Sequence, residues 1–282
     1  MAVVQWFPGH MAKTKRLIKE NLKRVDVVIE ILDARAPLAS ANPLLRQLTA
    51  GKPRLAVLNK DDLADPDATI RWAEEFRGQG KTLPVRVSAS TRKGVDAIPK
   101  ECRKLCSGAS WLQRRPVRAL IAGIPNAGKS TLVNAMSKKR KAEAGATPGL
   151  TRDLRRIPIT SNFELFDTPG MLWHKFDDPR TGLILAGLGA VKETILPDEE
   201  VAGEILTYLS RCYPQRLKDR YKLEDLPESA HDLVEAVGRA RGALMSGGRV
   251  DWPRACQMVI KDLRDGRYGA VSLEWPDGRG WD

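Results

Sequence analysis

Cysteine and histidine are scarce in this chain of 282 residues, which contains four cysteines and three histidines. No two cysteines form a Cys-x-x-Cys pair, and their spacing relative to the histidines matches no zinc-binding pattern. The sequence therefore argues against a structural zinc site and against a disulfide framework. A reducing compartment is the simpler interpretation, so we expect a cytoplasmic protein.

Long hydrophobic runs are missing as well. No stretch approaches the roughly 20 apolar residues that a membrane-spanning helix needs, and the N-terminus carries no secretory apolar core. We therefore expect no membrane partner. Hydrophobic residues still make up 42% of the chain and charged residues 29%, which is typical of a globular protein and argues against wholesale disorder.

Acidic residues are outnumbered, because the chain has 35 Asp+Glu against 47 Lys+Arg and a net charge of +12. Residues 197–282 contain 13 basic and 16 acidic residues, so their net charge is −3 and residues 1–196 carry +15. An excess of this size favours a polyanionic partner such as nucleic acid. The densest basic clusters lie at residues 13–24 and 138–156, and a solvated helix face is the alternative for each.

The pattern Gly-x-x-x-x-Gly-Lys-Ser stands at residues 123–130, after an apolar run at 116–122 and before residues 132–136 at helical spacing. These flanks favour the strand, phosphate loop and helix of a nucleoside triphosphatase over a glycine-rich turn before a structural helix. Such a loop surrounds phosphates with backbone N–H groups, its lysine reaches the outer phosphates, and its serine hydroxyl binds Mg²⁺. The loop residues expected to contact the nucleotide are Pro125, Asn126, Ala127, Gly128, Lys129, Ser130 and Thr131.

A second motif, Asn-Lys-Asp-Asp at residues 59–62, follows the predicted strand 54–58. The Asp62 carboxylate can accept hydrogen bonds from both the ring N–H and the exocyclic amine of guanine, whereas adenine would face it with an unpaired acceptor. A buried mismatch of this kind discriminates by about a thousandfold. We expect Asn59 to tie this loop to the phosphate loop and Lys60 to lie along the base. A polar turn that caps the next helix is the alternative.

Two further loops complete the predicted site. A Ser-Ala pair ends the third predicted strand and can present backbone N–H groups to the carbonyl oxygen of guanine. An Asp-x-x-Gly motif follows a later strand, where the aspartate would hold Mg²⁺ through water and the glycine N–H would sense the terminal phosphate. A polar loop before that strand offers two threonines as a second magnesium ligand. These residues are Ser88 and Ala89, Asp167 and Gly170, and either Thr147 or Thr151.

The order of these motifs is unusual. In most GTPases the phosphate loop comes first, whereas here the guanine motif precedes it and the Asp-x-x-Gly motif comes last. This order is a circular permutation. Together with Trp-Phe-Pro-Gly-His-Met at residues 6–11 and Asp-Ala-Arg-Ala-Pro at residues 33–37, it closely resembles the bacterial ribosome biogenesis GTPase A family, also called RbgA or YlqF. The resemblance spans nearly the whole chain.

The motifs and the resemblance imply an α/β fold: a circularly permuted P-loop GTPase domain with a mainly parallel sheet, residues 1–178, followed by a small helical domain, residues 179–282. In that second domain we predict helices over residues 178–195 and 229–245, among others. The family's helical domain is associated with binding ribosomal RNA. Because this one is net acidic, RNA contact would have to use one face, for which the basic stretch 211–222 is our leading hypothesis.

The resemblance implies a GTPase coupled to late maturation of the large (50S) ribosomal subunit. Its partners would be GTP and GDP, the precursor subunit and its rRNA; its cofactor would be Mg²⁺, and we expect it to act as a monomer. Two alternatives stay open: a GTPase that acts on another RNA or on a small-subunit precursor, and a GTP-dependent RNA or protein scaffold whose hydrolysis only times release.

The position where many GTPases carry a water-orienting glutamine is held here by Met171 and Leu172, which cannot polarise water. The resemblance implies that His10 takes this role, since an imidazole can orient or accept from water; anchoring of the N-terminal segment or contact with RNA is the alternative. Asn126 matches a position that coordinates K⁺ in related GTPases, where the cation replaces an arginine finger. The expected catalytic residues are His10, Lys129 and Gly170.

Overall fold

The protein forms one six-stranded sheet covered by helices. The computed structural model describes residues 8–80, 82–137, 154–170, 176, 178–191 and 196–281, with the backbone alone for residues 8–14. The strands are β1 Val27–Asp33, β2 Arg54–Asn59, β3 Thr82–Val87, β4 Val117–Gly123, β5 Arg155–Thr160 and β6 Phe163–Asp167. Their order is β3-β2-β1-β4-β6-β5, and every neighbouring pair is parallel except β5 and β6. The predicted α/β class with a mainly parallel sheet is therefore confirmed.

Burial along the strands explains this arrangement. All seven residues of β1 are buried and β4 is buried at all but one position, as both faces of a parallel sheet lie under helices. β5 forms one edge of the sheet and is mostly exposed. Pro158 lies within β5, where the missing N–H costs least because an edge strand has one unpaired side.

Helices surround the sheet, and their starts follow local chemistry. Asn42 and Asp65 each cap a helix with the side-chain oxygen, and each is followed by proline at the first helical position, which needs no N–H partner. The helices among the strands are α1 Pro8–Asn21, which leads into a short 3₁₀ turn Leu22–Arg24, α2 Pro43–Leu48, α3 Pro66–Arg77, α4 Ala97–Leu105 and α5 Lys129–Met136.

All strands found in the described ranges precede residue 178, and the regular elements described after it are helices. Its helices are α6 Pro179–Gly187, α7 Asp198–Cys212, α8 Pro214–Tyr221, α9 Ala230–Ala240 and α10 Trp252–Arg264. α7 is the central helix of this region and packs against the other four. None of the helices in the described part of the chain is both long and apolar enough to cross a membrane.

Two helix lengths predicted from the sequence are wrong. The helix expected over 178–195 ends at Gly187, and Gly189 then takes a left-handed conformation with φ +74°. The helix expected over 229–245 ends at Ala240, before Gly242 with φ +65°. In both cases a glycine with positive φ stops the helix, as is common at helix C-termini.

The helical region is joined to the sheet by one continuous hydrophobic core. A single cluster of buried side chains contains Ile29 and Ile121 from the sheet as well as Ile205 and Val259 from α7 and α10. Burying both sets together removes apolar surface from water across the whole junction. The two regions therefore share a core.

The C-terminal segment, residues 271–275, extends this junction along the loops that follow β1 and β2. Val271 N donates to Leu63 O (3.1 Å), and Leu273 N donates to Arg35 O (2.7 Å). The indole N–H of Trp72 in α3 donates to a carbonyl oxygen of the same segment, that of Glu274, at 3.0 Å. The segment thus binds to the nucleotide-domain side of the molecule through its backbone.

Glu274 fastens this segment with its side chain. Its carboxylate accepts hydrogen bonds from the backbone N–H groups of Leu38 (2.7 Å) and Ala39 (2.9 Å). Burial raises the pKa of Glu274 to about 7; the two backbone donors oppose this rise, and the nearby charges of Asp178 and Asp33 add to it. A carboxyl group at the domain junction therefore titrates near neutrality.

The raised pKa predicts a pH-dependent stability. The folded protein holds a proton on Glu274 between pH 4.5 and about 7, where the unfolded chain has lost it. The free energy of unfolding should therefore fall as pH rises through this range, by on the order of 2–3 kcal/mol. Urea unfolding at pH 5 and pH 8 measures this fall.

The variant Glu274→Gln cannot titrate at this position and should lose most of the fall between the two pH values. The matched control is Asp277→Asn, because Asp277 is exposed in the same tail and its pKa is lowered to about 2, mainly by hydrogen bonds from Arg279. This control should keep the wild-type difference. An equal difference in wild type and in Glu274→Gln would contradict the assignment.

Candidate nucleotide-binding site

The phosphate loop runs from the end of β4 to the start of α5, as predicted. Gly128 caps α5 in a left-handed conformation with φ +94°, and a Cβ atom there would collide with the Asn59 amide nitrogen. Gly123 lies at the other end of the loop, where a Cβ atom would be 2.9 Å from Ile31 O. Both glycines are therefore required by close backbone packing, and the loop leads directly into a helix N-terminus that favours anions.

Asn59, the last residue of β2, connects three loops. Its amide nitrogen donates to Ala127 O in the phosphate loop (2.8 Å), and its amide oxygen accepts from Ala89 N (3.0 Å). The side chain is buried, so both hydrogen bonds are shielded from water. The loop at residues 59–62, which is predicted to read guanine, is called the guanine-reading loop below, and its predicted tie to the phosphate loop is confirmed.

Lys60 lies next to this bridge and contacts the phosphate loop as well. Its ammonium group donates to Asn126 O (2.7 Å) and to the carboxylate of Asp33 at the end of β1 (2.8 Å). Burial raises the pKa of Asp33, but the charges of Arg35 and Lys60 outweigh burial and hold that pKa well below its ordinary range. Asp33 is therefore an anion at neutral pH and holds the Lys60 ammonium group against the phosphate loop.

Asp62 and Asp61 differ in their surroundings. Asp62 is exposed and makes no hydrogen bond or ion pair with any described residue. Asp61 forms an ion pair with Arg86 (2.9 Å), which fixes the loop from the side of β3. The carboxylate expected to read guanine is thus available, whereas its neighbour has a structural partner.

The Ser-Ala loop differs from our expectation. The Ser88 N–H donates to Lys93 O (3.0 Å), and the Ala89 N–H donates to Asn59. Both N–H groups expected at the guanine carbonyl oxygen already have acceptors within the protein, because the loop closes on itself and on the Asn59 bridge. In this structure Ala89 supports the Asn59 bridge, and Ser88 closes its own loop.

Lys129 and Asp167 meet at the carboxyl edge of the sheet. The Lys129 ammonium group lies 2.5 Å from the Asp167 carboxylate, and exposed Ser130 follows in the first turn of α5. The structure thus places the lysine predicted to bind phosphate beside the aspartate predicted for magnesium. Gly170 lies near Pro125, since a Cβ atom on Gly170 would be 3.6 Å from that proline.

The donor set at this edge fits Mg²⁺. The Ser130 hydroxyl and the Asp167 carboxylate are hard oxygen ligands, and Mg²⁺ at nucleotide sites uses one or two protein groups together with phosphates and water. Within the described ranges there is no cluster of three or more His, Cys, Asp or Glu residues that could hold a metal ion alone. Among the described residues, these two side chains would therefore hold the ion together with the nucleotide.

Asn126, the predicted potassium ligand, is exposed at the tip of the phosphate loop with φ +60°. Its amide nitrogen donates to Gly189 O in the connection after α6, at 2.5 Å. The amide oxygen accepts no hydrogen bond from any described residue. The ligand atom that a cation would need is thus available, and the phosphate loop contacts the helical region directly.

Three other predictions concern parts of the chain that the structure does not describe. Thr147 and Thr151 lie outside the described residues. His10 belongs to α1, but its side chain also lies outside the described atoms. The structure therefore brings together Asn59, Lys60, Lys129 and Asp167, with the remaining phosphate-loop residues, but tests neither the threonines nor the histidine.

Asp33 and Arg35 were missed as site residues, although their Asp-Ala-Arg motif was noted. Asp33 ends β1, between β2 and β4, so it lies at the same sheet edge as the two nucleotide loops. A charged residue at the end of a buried and mostly apolar strand was the available signal. Its partner Lys60 could not be identified because the contact spans 27 positions in the sequence.

Comparison with known proteins agrees with this geometry. Residues 118–205 match the model of a family described as 50S ribosome-binding GTPase. The chain is 43% identical over 281 residues to ribosome biogenesis GTPase A of Bacillus cereus, covering 98% of this chain and 95% of that protein.

Two solved structures are similar in fold. The GNP-bound YlqF of Thermotoga maritima superimposes with a TM-score of 0.65 at 27% identity, covering 94% of this chain and 99% of that one. A GDP-bound YlqF gives 0.66 at 26% identity, covering 92% and 99%. With phosphate loop, guanine motif and permuted order all in place, the chain is a GTPase and belongs to the ribosome biogenesis GTPase A family.

Proposed function

We propose that this GTPase is an assembly factor for the large ribosomal subunit and binds the precursor subunit and its rRNA in a GTP-dependent way. The observation that carries the proposal is the Asn59 bridge, which joins a guanine-reading loop to a phosphate loop in a chain 43% identical to a ribosome biogenesis GTPase. The description of the matching family model, a 50S ribosome-binding GTPase, supports the choice of the large subunit.

The charge distribution supports an RNA partner. Residues 1–196 carry the whole positive excess of the chain. In the basic stretch 211–222, Arg220 is paired with Asp262 (2.8 Å), and the Lys218 ammonium group donates to Glu224 O (2.6 Å). These two residues serve the fold of the helical region. RNA contact by this stretch would therefore fall mainly to Arg216 and Lys222, whose side chains are exposed.

In the proposed reaction, Asp62 selects guanine and the loop before α5 binds the phosphates through its backbone N–H groups. Lys129 neutralises charge on the outer phosphates, and the Gly170 N–H contacts the terminal phosphate. Ser130 and Asp167 hold Mg²⁺, which when bound offsets charge on the phosphate oxygens. Thr151 is the proposed additional ligand. The residues that bind are thus separate from the one that acts on water.

His10 is proposed to orient the attacking water, since Met171 and Leu172 lack a group that can do so. Asn126 is proposed to hold K⁺ through its amide oxygen, where the cation would offset charge that develops in the transition state. Both roles concern the rate of hydrolysis after GTP has bound. The role of His10 and the effect of K⁺ on turnover can therefore be measured separately from nucleotide affinity.

Co-sedimentation tests the proposed partner. The purified protein should pellet with large subunits several-fold more in the presence of a non-hydrolysable GTP analogue than with GDP, and this binding should weaken steeply with added salt because basic side chains meet phosphates. Small subunits serve as the matched polyanionic control. Equal pelleting with both subunits, or equal pelleting with both nucleotides, would contradict the proposal and favour the alternatives of another particle or a scaffold.

Turnover stimulated by large subunits tests His10 and K⁺ together. The variant His10→Ala should lower this turnover by about a hundredfold or more, as expected for loss of a general base, while the Kd for GTP stays within about twofold. Replacing K⁺ by Na⁺ should slow the wild type. The control is His231→Ala, because His231 is exposed in α9, where its ring lies beside that of Trp252. Wild-type turnover in His10→Ala, or equal rates in both salts, would refute the respective role.

A further inference from the structure

A buried ion pair connects the sheet to the last helix. The Arg35 guanidinium is 1% exposed and binds Asp33 in a fork, with Nε 3.0 Å from one carboxylate oxygen and its second nitrogen 2.9 Å from the other. Its remaining terminal nitrogen donates to Leu263 O near the end of α10, at 2.7 Å. Because Asp33 also holds Lys60, the guanine-reading loop is linked to α10 through two side chains.

Arg264, the next residue of α10, continues this connection. Its guanidinium donates to the carbonyl oxygens of Ala186 (2.9 Å) and Gly187 (3.2 Å) at the end of α6. The following Gly189 packs so closely that a Cβ atom there would lie 3.1 Å from Arg264 Nε. Arg264 therefore fixes the backbone that turns after α6.

The same turn contacts the phosphate loop. Gly189 O accepts the hydrogen bond from the Asn126 side chain, and Asn126 O accepts one from Lys60. These contacts form a closed ring. The guanine-reading loop contacts Asp33, Asp33 contacts Arg35, and Arg35 contacts α10. In α10, Arg264 contacts the turn after α6, which in turn contacts the phosphate loop at Asn126. Both nucleotide-binding loops are thus held by the helical region.

We propose that Arg264 and Arg35 are positioning residues for guanine-nucleotide binding, which act through other residues and do not touch the nucleotide themselves. Arg264 acts through Gly189 on Asn126, and Arg35 acts through Asp33 on Lys60. By thermodynamic reciprocity, a bound nucleotide stabilises the same contacts between the helical region and the sheet. This route is separate from the Asp-x-x-Gly segment that leads into α6.

Backbone conformation gives the physical reason. Lys60 and Asn126 have φ of +62° and +60°, a left-handed conformation that is unfavourable for residues with a side chain and persists only where surrounding contacts hold it. If the ring is broken, these residues can relax away from the geometry that the nucleotide needs. The free energy needed to order these residues again then opposes binding, so the affinity for the nucleotide falls.

Equilibrium binding of fluorescent GDP to the full chain tests the proposal. Arg264→Gln should raise the Kd by about tenfold, the middle of the range for coupled sites. The matched control is Arg239→Gln, which removes the same charge from an exposed arginine in α9 that pairs with Glu235. This control should leave the Kd unchanged within about twofold. Arg264→Lys keeps the charge but lacks the two guanidinium nitrogens that bind Ala186 and Gly187, so its Kd should be intermediate.

A double-mutant cycle distinguishes positioning from general loss of structure. Asn126→Ala should raise the Kd by itself, and adding Arg264→Gln should then change it by less than about twofold, because the route through Gly189 is already broken. A full tenfold effect in that background would overturn the proposal, as would an unchanged Kd in a folded Arg264→Gln variant. If Arg264→Gln does not fold, Arg264→Lys replaces it in the same cycle. None of these measurements involves the ribosome, so they stand apart from the proposed partner.

Discussion

The two hydrogen bonds of the Asn59 side chain are the constraint on which the nucleotide site depends. One joins the end of β2 to the phosphate loop after β4, across the intervening strand β1, and the other joins it to the loop after the neighbouring strand β3. The site is thus assembled by contacts between neighbouring strand ends, and the order of the strands in the sequence is immaterial. A circular permutation can therefore preserve a GTPase site. The same bridge requires Gly128, since a larger residue would collide with Asn59.

The sequence was sufficient for features that depend on local chemistry. Apolar runs predicted the strands, and the phosphate loop and the Asn-Lys-x-Asp motif have spacings that only a few neighbouring residues determine. The buried pair of Asp33 and Arg35 could not be predicted in the same way, because its partners Lys60 and Leu263 are distant in the sequence. Nor could the pKa of Glu274, which results from burial of the tail against the loop after β1.

The nucleotide domain and the helical region are connected by several non-covalent contacts as well as by the chain itself. In the permuted order, the segment after the Asp-x-x-Gly motif is the covalent connection between the nucleotide domain and the helical region. The structure adds a shared hydrophobic core, the C-terminal segment 271–275 and a ring of polar contacts that includes both nucleotide-binding loops. A ligand that orders those loops therefore acts on contacts of the helical region as well as on its covalent connection.

The central claim, that Asp62 reads guanine in a site assembled by Asn59, is tested most directly by exchanging the base. Xanthine has a carbonyl oxygen where guanine has its exocyclic amine, so an amide at position 62 should pair with xanthine. Wild type should bind GDP about a thousandfold more tightly than XDP, and Asp62→Asn should reverse this preference. An Asp62→Asn variant that binds GDP as tightly as wild type does would contradict the account.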